Sequence, residues 1–165
     1  MTGYHLAQFN AARLRAPLDD PATAGFVAGL DLMNALADRS PGFVWRLAEG
    51  PAGDATTVRP TEPDVIVTLS VWESVEALRA FTYQSEHLDY LRRRREWFVP
   101  LGYRASLVLW WIPAGTLPTP EEGVARLRAL GANGPTPDAF TFRAPFPAPA
   151  TTDAAPPAPL PARPA

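Results

Sequence analysis

The chain has 165 residues, 47% hydrophobic and 10% aromatic, which suits one domain with a buried core. Its formal net charge is −2, all 15 basic residues are arginine, and cysteine is absent. Disulfides, thiolate metal sites and cysteine nucleophiles are thereby excluded, and nothing broadly attracts nucleic acid.

Met1 to Asn10 carries His5 and Gln8 in place of a basic region and a long apolar run. Neither a signal nor a transit peptide is expected there. No apolar run approaches the roughly eighteen residues of a membrane span, so a cytoplasmic protein with no membrane partner is the default expectation. Tyr4 to Leu14 alternates as a strand, with His5, Ala7 and Phe9 on one face and Leu6, Gln8 and Asn10 on the other. Asp20-Pro21 reads as an N-cap followed by proline, opening a helix with Phe26, Leu30, Met33 and Ala37 on its stripe. Ser40-Pro41-Gly42 ends it.

Phe43 to Leu47 is a short strand that should place Phe43, Trp45 and Leu47 together. Glu49 to Asp64 is a loop rich in Gly, Pro and Thr, with a short paired piece expected at Thr56–Val58. Val65 to Trp72 is the clearest strand: Val65, Val67, Leu69 and Val71 on one side, Ile66, Thr68, Ser70 and Trp72 on the other. Ser74 caps a helical region from Val75 to Phe98, with a break near Gln84-Ser85 and a stop at Pro100 and Gly102. Ala105 to Ile112 is the last core strand. Thr119-Pro120-Glu121-Glu122 is a capping box for a short helix carrying Val124, Leu127 and Leu130, with Gly131 as its stop. Phe140 to Phe146 is an extended aromatic arm. The domain is set at 4–147, and the Pro/Ala-rich tail 148–165 is expected to be disordered.

This order, βαββαβ with a short C-terminal helix and an arm, is that of an α+β ferredoxin-like fold with an antiparallel sheet. Two helices cover one face of such a sheet, yet Val65–Trp72 and Ala105–Ile112 are apolar on both. The economical cover is a second copy, giving a homodimer of the dimeric α/β barrel type. The alternative is cover by the last helix and the arm within one chain.

Among residues able to carry chemistry, His87 opens the second half of the long helix, with Tyr90, Arg94 and Trp97 following on one stripe. Imidazole suits proton transfer near neutral pH or iron ligation; a surface or capping histidine is the plainer reading. A zinc site from His87 and His5 lacks any spacing signature. Thr68 and Ser70 interrupt an apolar face, with Trp72 beside them and Asn10 able to face the same space. Such groups need partners in a packed interior, whereas lining a cavity supplies water or ligand; local bonding at a sheet edge is equally open. Arg92 to Arg95 spread around the helix and read as a solvated face, with one arginine reaching the pocket as the sharper view. Arg46, on a strand between aromatics, stands in the same position. Trp45, Trp110 and Trp111 read first as core or interface, with Trp110 also counted as pocket-lining. There is no phosphate loop, G-x-S-x-G, H-E-x-x-H, flavin or nicotinamide motif.

The stretches His5-Leu-Ala-Gln-Phe-Asn10, Gly42-Phe-Val-Trp-Arg46, Leu69-Ser-Val-Trp-Glu-Ser74, Arg94-Arg-Glu-Trp-Phe98 and Leu109-Trp-Trp-Ile-Pro-Ala-Gly115 resemble the family known as domain of unknown function 3291. Gly134-Pro-Thr-Pro-Asp-Ala-Phe-Thr-Phe142 fits as well, and the likeness spans about Tyr4 to Pro147. That family resembles the antibiotic-biosynthesis-monooxygenase superfamily of dimeric α/β barrels. The resemblance implies Asn10, Trp72 and His87 as catalytic positions. In heme-degrading members the histidine would ligate iron, the asparagine would bond bound oxygen and the tryptophan would press on the macrocycle. The long 49–64 loop and the extra C-terminal helix depart from those short enzymes. Cofactor-free members oxidise aromatic polyketides in an apolar pocket. The expected function is therefore a small-molecule oxygenase acting on a hydrophobic aromatic or tetrapyrrole ligand. The alternative is a non-catalytic protein that binds or senses such a molecule, heme included.

Overall fold

The computed structural model describes residues 3–150, so the expected disordered tail lies outside the described residues from 151 onward. Strand β1 (Tyr4–Leu14) is central, because alternating apolar residues let it bury both faces. β3 (Val65–Trp72) pairs antiparallel along one edge, setting Gln8 opposite Ser70 and Asn10 opposite Thr68. β5 (Leu107–Pro113) pairs along the other edge, with the two-residue β4 (Phe98–Val99) beside Arg13 and Leu14. β2 (Phe43–Arg46) extends the sheet beyond β3. The result is an open antiparallel sheet of ferredoxin-like order.

Capping chemistry places the helices. The Asp20 carboxylate accepts from the Ala22 N–H at 2.8 Å, and a turn at Pro21–Thr23 leads into α1 (Ala24–Asp38). Ser74 accepts from the Ala77 N–H to start α2 (Val75–Tyr83). The expected break separates α2 from α3 (His87–Trp97). Its cause is local: the Thr82 and Ser85 hydroxyls donate back to the Leu78 and Phe81 carbonyls, and Ser85 accepts from the His87 N–H. Phe98, expected in this helix, belongs to β4. Thr119 caps α4 (Pro120–Asn133) through the Glu122 N–H. That helix runs past Gly131 and stops at Gly134, whose φ of 72° is the left-handed conformation a chain reversal needs.

Ala7, Phe9, Val67, Leu69, Val108 and Trp110 face Val124, Leu127 and Leu130 of α4, with Leu47, Ala55 and Val58 from the connection after β2. Against the expectation of a second copy over this face, the cover comes from the chain itself: Phe9 and Trp110 are 0% exposed. One amphipathic helix and one loop supply the apolar cover on that face. The arm covers the opposite face. Phe140 bridges to Leu109 by backbone hydrogen bonds and packs with Leu6, Trp72, Val75 and Leu78.

Two local expectations differ from the structure. A register shift between Phe43 and Trp45 puts Phe43 against Trp72, while Trp45 and Leu47 join the other face. Within the 49–64 loop the bridge joins Glu49 to Asp54, and Thr56 to Val58 is unpaired; Asp54 instead accepts from the Thr56 N–H and hydroxyl.

Candidate functional site

Trp72 anchors the site from inside the core. Its indole is 0% exposed, stacked on Phe81 at 5.1 Å between centroids and edge-on to Phe43 at 5.4 Å. Its Nε1–H donates to Ser70 Oγ at 2.9 Å, and that hydroxyl donates to Gln8 Oε1 at 2.7 Å. Gln8 Nε2 then donates to Thr68 Oγ1 at 3.2 Å. The direction of this run follows from one constraint. An indole can only donate, so Ser70 must pass its own proton on, and Gln8 must turn its carbonyl toward Ser70.

The outer end of this run reaches solvent. Along β3, Ile66 at 6% and Trp72 at 0% are sealed, whereas Thr68 between them is exposed and Ser70 half-buried. Asn10, opposite Thr68, is half-buried as well. α1 packs chiefly on α3 and β2, and its Leu30 and Met33 remain half-buried. Gln8 is the site residue that the sequence reading left without a role. Its signal was present: it shares a face with Asn10, two positions away on the same strand.

His87 sits beyond Phe81, ring centroids 4.7 Å apart. Its Nδ1 lies 3.3 Å from the Thr82 carbonyl oxygen, which can only accept, so Nδ1 carries the proton and Nε2 keeps its lone pair. Burial pushes the imidazole below its ordinary pKa, and the Thr82 carbonyl opposes that only in part. The ring is therefore neutral at pH 7. An unfolded histidine titrates at its ordinary 6.5, above the folded value, so the unfolded chain binds the proton more readily. The stability this burial supports is complete above pH 6.5 and is lost as pH falls through the depressed folded value. Urea midpoints measured from pH 7.5 to 5 should fall more steeply for the wild type than for His87→Asn. Parallel slopes would contradict the assignment.

The other expected site residues are dispersed. Tyr90 and Trp97 pack the α1–α3 interface: Tyr90 lies against Gly29, leaving no room for a Cβ there, and Trp97 contacts Phe26 at 5.8 Å. Arg94 is exposed, and the arginine run is a solvated face in which Arg93 pairs with Glu96 at 2.6 Å. Arg46 is held by Asp38 at 2.7 Å. Trp110 lies on the opposite sheet face under Arg126 of α4. The spacing of Tyr90 and Trp97 after His87 is a packing stripe, and strand alternation puts Trp110 on the wrong side.

The heme reading can be tested on this geometry. It needs His87 and Trp72 on either side of a flat macrocycle. The Phe81 ring already fills that space, in contact with both, and Trp72 has no surface to offer. The residues present do not fit heme held in that way. Among the described residues no group of three His, Cys, Asp or Glu side chains could hold a metal ion, and no helix is long and apolar enough to cross a membrane.

Comparison with known proteins places the chain by family. No curated protein matches it. Among solved structures it is similar to SnoaB, a cofactor-independent oxygenase from Streptomyces nogalater, at 18% identity over 70% of this chain and 98% of that one, TM-score 0.44. It is similar to Rv0793 from Mycobacterium tuberculosis with the same identity, coverage and score, 18%, 70%, 98% and 0.44. It also resembles NE2512, a protein of unknown function from Nitrosomonas europaea, at 11% identity over 72% and 96% of the two chains, TM-score 0.45. The profile for the domain of unknown function DUF3291 matches residues 5–156, and the chain belongs to that family.

Proposed function

We propose that this protein is an oxygenase of electron-rich aromatic small molecules, acting at the polar patch of Gln8, Asn10, Thr68 and Ser70 with His87, on the far side of Phe81, as its base. The observation that carries this reading is the patch of hydrogen-bonded polar side chains whose outer members, Thr68 and Ser70, reach solvent between the sealed Ile66 and Trp72. Buried polar groups are retained where they meet a ligand or one another, and here one end of the run reaches the surface. Among the described residues the Asn10 carboxamide has no hydrogen-bond partner, which leaves it available to a substrate oxygen.

The chemistry uses the substrate as its own reductant. His87 Nε2 takes a proton from an activated methylene, and the resulting carbanion gives one electron to dioxygen. The radical pair closes a C–O bond to a peroxide, which the His87 imidazolium protonates. Removal of the second C–H proton by His87 then forms the carbonyl as the O–O bond breaks. The hydroxide released takes that proton and leaves as water. One methylene and one O2 give one ketone and one H2O, with both electron pairs drawn from the substrate. The second amide proton of Gln8 and the Asn10 carboxamide stabilise the oxygen anions along the way.

Air-saturated 1,8-dihydroxyanthrone is a direct probe. Oxygen uptake and quinone absorbance should rise together one-to-one, well above the buffer rate. His87→Ala should lower kcat/KM by about 10²–10⁴-fold, the usual worth of a positioned base, with anthrone binding retained. Binding of the anthrone with no oxygen uptake would reject catalysis in favour of a binding protein.

A further inference from the structure

On the face of the sheet opposite His87, between β1 and α4, there is a cavity of about 490 Å³. That volume falls within the roughly 300–1,000 Å³ typical of small-molecule pockets. Phe9 and Ala11 of β1 lie sealed beneath its floor, which Ala105 forms with Val124 and Leu127 of α4. An apolar floor favours a ligand with an apolar body.

Two further observations say what else the ligand must carry. The Thr61 hydroxyl oxygen, in the lining, is buried and has no hydrogen-bond partner among the described residues. Such a group is costly unless something in the cavity pairs with it. The charge of the rim is the second. Glu62 accepts from the Tyr103 hydroxyl at 2.7 Å and shares Arg13 with Asp64, so this group carries one negative charge against the two arginines that follow. Arg104 and Arg128, both exposed, line the same cavity and make no ion pair among the described residues. The surplus charge is positive.

We propose that this cavity is a second binding site, for a small amphipathic aromatic carboxylate. Its ring system lies on Val124, Leu127 and Ala105, its carboxylate meets Arg104 and Arg128, and an inner oxygen pairs with Thr61. A guanidinium recognises a carboxylate by paired charge-assisted hydrogen bonds, which neither a neutral alcohol nor a hydrocarbon can accept in the same way. The site is separate from the proposed oxygenase centre, because the sheet lies between them.

The test uses the full chain and 6-hydroxy-2-naphthoate, followed by calorimetry. Saturable one-to-one binding is expected. Affinity should fall at least tenfold in the Arg104→Ala/Arg128→Ala double variant, and at least tenfold when a hydroxymethyl group replaces the carboxylate. Ala132→Trp, at an exposed lining position, should block the mouth and abolish binding. His87→Ala should bind as the wild type does, so loss of oxygenase activity cannot be mistaken for loss of this site. No binding at millimolar probe would overturn the proposal. So would equal affinity for the acid and the alcohol, or binding unchanged in the arginine double variant. Arg104, Arg128 and Ala132 are exposed, and circular dichroism checks that each variant folds. Should Ala132→Trp fail to fold, the arginine pair and the alcohol decide the question.

Discussion

Trp72→Ala is expected to lower the free energy of unfolding by about 3–5 kcal/mol, the range for emptying a fully buried large aromatic site. The indole is enclosed by Phe43, Phe81 and the β1–β3 ladder, so little can collapse into the space it leaves. Trp72→Phe separates packing from hydrogen bonding. A ring remains in the stack, but Ser70 loses its donor, at a cost of about 1 kcal/mol beyond the lost volume. Urea denaturation with an unchanged m-value reads both variants. A loss under about 1.5 kcal/mol for Trp72→Ala would show that the site relaxes, and would weaken the case for Trp72 as the rigid support of Ser70 and Gln8.

The second large effect carries a sign opposite to the usual one. Glycine inside a helix ordinarily costs about 1 kcal/mol relative to alanine, so Gly123→Ala would be expected to stabilise α4. Here it should destabilise by about 1–3 kcal/mol, the cost of overpacking. A Cβ at Gly123 would sit 2.6 Å from Cγ of Phe9 and closer still to Cδ2. Phe9 is 0% exposed and packed into the core, so moving it disturbs its neighbours. α4 therefore lies against the sheet with glycine as its contact. Pairing Gly123→Ala with Phe9→Leu should recover part of the loss, and a purely additive double variant would refute the clash. The same approach brings α4 over the cavity proposed to bind a carboxylate, so Gly123→Ala should also weaken the naphthoate probe.

The legible parts of this protein were those governed by short stretches of chain. Asp20, Ser74 and Thr119 marked three helix entries because a side-chain oxygen two or three residues ahead of an open N–H is a local device. Alternation in Tyr4–Leu14 and Val65–Trp72 separated the faces correctly, and so placed Asn10, Thr68, Ser70 and Trp72 on one side. Where a local irregularity intervened, alternation failed: the register shift in β2 moved Phe43 to the face opposite Trp45. His87, Tyr90 and Trp97 share a stripe, yet a helix face that points at another helix has the same spacing as one that lines a pocket.

The amino-acid sequence by itself determined the order of elements, the ferredoxin-like class, the family and the side of the sheet on which the residues of β1 and β3 stand. Only the tertiary structure decided what meets each side. It laid α4 over the face expected to need a second copy, put Phe81 between His87 and Trp72, and joined Gln8 to Ser70. The reason is physical. Periodicity and capping act over a few residues and can be read along the chain, whereas burial depends on which distant surfaces come together, 62 positions apart for Gln8 and Ser70.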